Sequence, residues 1–180
     1  MTWTVTNKGD IRCRMMADRH YTRQSIGNPR WTRPGYSAVL YAQSAAGAGL
    51  FVWWRPKWED GRPGTARKDG LRCLECTHFR REGLAVGEPG ALPVASDMIR
   101  AAVAALDWPA VRSALHLDAA GPIADGVLTG IGSKQTAKRR SRTSEPGECF
   151  LRAGWARVEK RKSRADVWLS LPWPTPGAER

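Results

Sequence analysis

Three short clusters in this 180-residue chain carry side chains able to do polar chemistry. The first is Arg19, His20, Tyr21, Thr22 and Arg23, an imidazole and a phenol set between two guanidiniums. His20 can take a proton from an amine that attacks an activated carbon, and Tyr21 can donate to a developing oxyanion or stack on a base. The second is the end of Leu71 to Gly83 (LRCLECTHFRREG), an apolar run that closes on two arginines, a glutamate and a glycine. Arg80 can clamp a carboxylate or phosphate bidentately, and an arginine closing so apolar a strand needs an acidic partner or a ligand. The third pairs Ser96, at the start of a helical pattern, with Asp118, at the end of a short apolar run. Ser96 reads as a helix cap or a nucleophile, and Asp118 as a group that orients an imidazole, helps hold a metal or caps a turn.

Charge narrows the choice of partner. Twenty-nine Lys and Arg stand against 17 Asp and Glu, a net +12, which is the footprint of a protein working on a polyanion. Lys134, Lys138, Arg139, Arg140 and Arg142 fall within nine positions and, with Arg19 and Arg23, suit phosphate contacts that carry no sequence information. Nine tryptophans are many for the length; core filling takes Trp53 or Trp54, Trp155 and Trp168, while Trp31, in a polar loop, is the best face for stacking a base. Cys73-x-x-Cys76-x-His78 has the look of a metal motif. On a regular strand, however, Cys76 and His78 share one face and Cys73 points to the other, so the three read as core residues.

The elements that must position these groups follow from periodicity. Trp3 to Thr6 reads as a short first strand, and Cys13 to Pro34 as a long functional loop. Ser37 to Gln43 and Leu50 to Arg55 are continuous apolar runs, expected as strands buried on both faces and joined as a central hairpin. Pro56 to Gly70 reads as an exposed loop, and Leu71 to Phe79 as the third long strand. Ser96 to Trp108 has an apolar face at helical spacing, with Ser96 as N-cap and Pro109 as stop. Ser113 to Asp118 is expected as a strand, and 119–146 as a basic, flexible insertion. Gly147 to Gly154 reads as one or two helical turns closed by glycine, followed by strands at Ala156 to Arg161 and Ala165 to Leu171. This gives one domain over 1–171 and a Pro-rich tail at 172–180. No window has the roughly 20 apolar residues of a membrane span and no signal peptide is visible, so the expectation is a cytoplasmic protein with reduced cysteines and no membrane partner.

This order of elements, from about residue 37 to 171, resembles the GNAT acyltransferase superfamily. The resemblance implies an α/β (α+β) fold with a mixed, largely antiparallel central sheet flanked by helices. It also implies a pyrophosphate cradle for an acyl-CoA, whose pattern Arg80, Gly83 and Ala85 satisfy. Val86 to Ala95 separates that cradle from the helix it normally opens. A narrower resemblance rests on RHYTR, NPRW, FRRE, the serine opening the helix, the run ending in Asp118, and PGECFLRAGW. In that order, over about residues 19 to 171, they are similar to the Mom-type phage DNA-modification proteins. That likeness implies transfer of a small acyl or aminoacyl-derived, carbamoylmethyl-like group to the exocyclic amine of adenine in double-stranded DNA, protecting it from restriction. It assigns site roles to His20, Tyr21, Arg80, Ser96 and Asp118, and leaves open both the donor, acyl-CoA or aminoacyl-like, and a catalytic iron. Two other readings stand beside it: an acetyl-CoA-dependent N-acetyltransferase of a small amine or protein, and a non-catalytic basic DNA-binding protein.

Overall fold

The computed structural model describes residues 2–20, 25–57, 70–118, 123, 125–132, 145–159 and 167–173. Seven strands form one open sheet: β1 (Thr4–Thr6), β2 (Tyr36–Ser44), β3 (Gly47–Arg55), β4 (Leu74–Gly83), β5 (Val127–Ile131), β6 (Ala156–Val158) and β7 (Val167–Leu171). Their spatial order is β1-β2-β3-β4-β5-β7-β6. Every pair is antiparallel except β4 with β5, which run parallel. Helices α1 (Ile11–Asp18), α2 (Ala95–Ala104), α3 (Pro109–Ala114) and α4 (Glu148–Arg152) complete the mixed α/β architecture.

The continuous apolar character of β2 and β3 has its reason in this arrangement, because both faces of the hairpin are covered. Ala38, Leu40, Phe51 and Trp53 pack under Met98, Ile99, Ala102 and Val103 of α2. Val39, Tyr41, Leu50 and Val52 meet Cys13, Met16 and Ala17 of α1 on the other side. Two indoles bolt α2 to the sheet, Trp3 Nε1 donating to the Met98 carbonyl at 3.1 Å and Trp53 Nε1 to the Ala102 carbonyl at 3.0 Å. A buried N–H with a partner adds specificity to apolar burial that is non-directional by itself.

Several expectations are corrected here. The polar stretch from Cys13 begins with a helix, α1, capped by the Asp10 side chain on the Arg12 N–H. Only Cys13, Met16 and Ala17 face inward, too narrow a stripe to stand out among arginines. The helical run from Ala95 ends at Asp107, with Trp108 extended (ψ 133°) ahead of Pro109 as expected; Pro109 also opens α3, where its missing N–H costs nothing. Residues 113–118 are not a strand. Val111 and Leu115 are buried one turn apart, and α3 ends in a left-handed cap at His116 (φ 51°). There the His116 N–H donates to the Ser113 carbonyl and the Leu117 N–H to the Arg112 carbonyl, both at 3.0 Å, a Schellman closure. The strand of that slot is β5, inside the segment expected to be a flexible insertion, and it sits in the middle of the sheet.

Ser96 is not the cap of α2 either. The helix starts at Ala95 with Val94 as N-cap, and Ser96 is buried. Its start is fixed by Arg81, whose guanidinium donates to the carbonyls of Leu84, Leu92 and Pro93 at 2.9–3.0 Å. β4 also runs longer than expected, to Gly83, so the doubled arginine lies within the strand and its two members serve opposite faces.

Candidate functional site

A single extra residue in β4 creates the site. Val52 is paired with His78 and its neighbour Trp53 with Cys76, so Thr77 is a β-bulge. The bulge resets the alternation: Cys76 and Phe79 point to the α2 side, whereas His78, Arg80 and Glu82 lie opposite Val52, Leu50 and Ala48 on the α1 side. Cys76 and His78 therefore face opposite sides, contrary to the regular-strand expectation. Cys73 belongs to a third cluster with Leu128 and Trp168.

The bulge also ends the parallel pairing. β4 and β5 are in register only at Leu74 with Val127, Glu75 with Leu128 and Cys76 with Thr129. Thr129 Oγ1 closes the apex by donating to the Cys76 carbonyl at 3.1 Å. Beyond it a cleft of about 180 Å³ opens, with Thr77 and Phe79 on one wall, Gly130 and Ile131 on the other, and Gly147, Cys149 and Phe150 at the head of α4. A crevice at the carboxyl ends of neighbouring parallel strands is where α/β sheets receive ligands. Burial pushes the Cys149 thiol up to about 11, so at neutral pH it is a protonated wall group and no nucleophile.

His20 joins this cleft from the end of α1. Its ring lies 5.1 Å from that of His78, which in turn meets the edge of Trp31 at 5.7 Å. The Thr77 hydroxyl and His78 Nδ1 are 3.2 Å apart. His78, read from the sequence as a core residue, is the neighbour of His20 that only the bulge could reveal, because a regular strand would have put it on the same face as Cys76.

Arg80 has the acidic partner its burial demanded. Its guanidinium bonds the Glu82 carboxylate and the backbone carbonyl of Arg19. Arg19 grips the same carboxylate, with Nε donating at 2.8 Å. Hydrogen bonding from Arg19, and then from Arg80, holds the Glu82 carboxyl below its ordinary value against the opposing effect of burial. This network ties the C-terminus of α1 to β4 and so fixes the residue that follows, His20.

Other expected site residues lie elsewhere. Trp31 is not an exposed stacking face; it is buried in the α1 core with Nε1 donating to the Lys8 carbonyl at 2.8 Å. Ser96 packs on the α2 side of the sheet, away from α1. Asp118 is exposed and paired with Arg112 just beyond α3. Its neighbour His116 stacks on Tyr36, opposite Arg55. Arg80 is opposite Leu50, so the two ends are separated by about 17 Å of strand at ~3.3 Å per residue. Asp118 is therefore not gathered with His20 and Arg80. Gly83 (φ 115°) ends β4 where a Cβ would stand 2.2 Å from the Ala46 carbonyl oxygen, and the Leu84 N–H donates to that same oxygen at 3.1 Å. The hairpin turn thus accounts for Gly83; Ala85 follows in the loop, its carbonyl accepting from the Glu88 N–H. Tyr21, Arg23, Lys134, Lys138, Arg139, Arg140 and Arg142 lie outside the described residues.

A catalytic iron of the two-histidine, one-carboxylate kind needs three converging ligands. Among the described residues no three His, Cys, Asp or Glu side chains gather, and Glu82 is committed to two arginines, so these residues do not fit such a centre.

No protein-family model, no curated protein and no solved structure matches this chain.

Proposed function

We propose that the protein is a DNA-modifying transferase that adds a small acyl or aminoacyl-derived, carbamoylmethyl-like group to the exocyclic amine of adenine. The observation that carries this reading is the cleft between the parting strands β4 and β5, with the His20 imidazole in its wall. The strand order with one parallel pair, opened by a bulge, agrees with the GNAT-like architecture that the sequence resembles. The excess of 29 cationic over 17 acidic side chains favours a polyanionic acceptor.

In this reading the donor's electrophilic carbon sits in the cleft. An adenine extruded from the duplex presents its amine at the His20 side. The nitrogen lone pair forms the new N–C bond, the leaving group departs with its electron pair, and the amine proton passes to the His20 imidazole. Arg80 acts through position, holding the end of α1 by way of the Arg19 carbonyl. Lys134 to Arg142, with Arg23, supply phosphate contacts, whereas Arg19, expected among them, holds Glu82.

Acetyl-CoA-dependent N-acetylation is the second reading, for which the cleft between the parallel strands would also have room. It is ranked lower because the backbone around Gly83 and Leu84 is engaged by Ala46. The deciding experiment is mass spectrometry of nucleosides from DNA of cells expressing the protein. A modified deoxyadenosine, whose added mass identifies the transferred group, is the expected result; unmodified DNA together with acetylation of an amine or protein would replace it by the second reading.

A further inference from the structure

We propose that the loop tip carrying Ile26, together with the outer side of α1, docks on duplex DNA, and that Ile26 enters the base stack beside the cleft. This rests on the reading of the protein as a DNA-modifying enzyme.

Single exposed aliphatic residues are ordinary on protein surfaces. Here three are linked. Ile11 and Met15, each about half exposed, lie one turn apart on the side of α1 that faces away from Cys13, Met16 and Ala17. Asp18 continues that side by another turn and accepts the Gly27 N–H at 3.0 Å, which seats the next loop against the end of the helix. Ile26, at 81% exposure, stands at the tip of this loop.

The tip is a constructed feature. Gly27 takes φ 77°, a conformation that favours glycine, and the Arg30 N–H donates to Asn28 Oδ1 at 2.8 Å. The buried Trp31 then anchors the far side. An aliphatic side chain held outward on a fastened turn costs apolar exposure that none of the described residues recovers.

Charge selects the occupant. Residues 8–33 hold seven Lys and Arg against two Asp, and with Arg19 paired to Glu82 and Arg33 to Glu75 an excess of three positive charges remains. That excess favours an anionic partner, and two apolar residues on an eight-residue helix offer too little face for a bilayer. Isolated aliphatic wedges among arginines are how architectural proteins part a base step in the minor groove. The location gives the wedge a purpose. Asp18, which holds the loop, is two residues from His20 in the wall of the cleft, so a stack opened by Ile26 is opened next to the pocket that must receive the extruded base.

The test uses the full chain and duplexes carrying 2-aminopurine in place of adenine, whose fluorescence rises on unstacking. The parent should raise the signal on binding. Ile26→Ser should lose that rise while binding within about tenfold of the parent, because phosphate contacts carry most of the affinity; Ile26→Leu should restore it. Undiminished unstacking by Ile26→Ser overturns the proposal, as does a parent that binds duplex without unstacking, or one that binds phosphatidylserine vesicles through Ile26 and not DNA. Nucleoside mass spectrometry on the same proteins separates the two ideas. Unstacking without modified adenine removes the enzymatic reading and keeps the wedge, whereas modified adenine with full unstacking by Ile26→Ser removes the wedge and keeps the enzyme.

Discussion

His20, at the end of α1, and His78, on β4, hold their imidazole rings 5.1 Å apart, and only His20 also reaches the cleft. If His20 receives the amine proton, His20→Gln should lower the modification rate by about 100-fold or more, the usual worth of a general base. Quantifying modified deoxyadenosine against time checks this, with circular dichroism confirming an unchanged fold. A variant of parental rate would remove His20 from the chemistry.

Glu82 joins two arginines, and its carboxyl is held low chiefly by the hydrogen bond from Arg19. A depressed folded-state value means that the stability it contributes is fully present above the unfolded carboxyl value of about 4.3 and is lost as pH falls through the folded one. Glu82→Gln should therefore destabilise the protein by about 0.5–1 kcal/mol at neutral pH, the scale of a partly exposed ion pair. The gap should close in strong acid. Urea midpoints measured at a series of pH values read this directly, and a gap that stayed constant with pH would contradict it.

Cys149 offers a reporter for the cleft. With its thiol pushed up to about 11 by burial, alkylation by iodoacetamide should be slow at neutral pH and rise about tenfold per pH unit below that value. A donor bound in the cleft should slow the reaction further. Cys13, fully buried with its thiol raised to about 12, should stay unmodified in the folded protein. Peptide mapping after timed alkylation distinguishes the two sites.

Gly83→Ala tests which function the glycine serves. The added Cβ would meet the Ala46 carbonyl oxygen at 2.2 Å, at a φ of 115° that alanine resists. A loss of about 1–3 kcal/mol is expected from such strain. Parental stability combined with weakened acyl-CoA binding would instead return Gly83 to a cofactor cradle.

Local pattern and total charge determined a good part of this protein. The continuous apolar runs of β2 and β3 required a sheet covered on both faces. The apolar face from Met98 to Leu106 required a helix or helical turns on that sheet. Gly154, at φ 95°, closes the short α4 as its type predicts, and the net charge of +12 is the sequence observation behind the proposed polyanionic acceptor. These are properties of neighbouring residues or of the whole composition, so no long-range information is needed to read them. Tertiary structure decided the rest. Thr77 bulges out of register with β3 just where the pairing of β4 with β5 ends, and that placement puts His78 beside His20 at the border of the cleft. The sparse inward stripe of α1 becomes a helix face only when the sheet is there to cover it. Likewise, 113–118 and 127–131 both carry short apolar patterns, and the choice of strand fell to the segment that the parallel edge of β4 could pair. A side-chain period identifies a surface that must be buried; which partner buries it is settled by contacts between residues far apart in the chain.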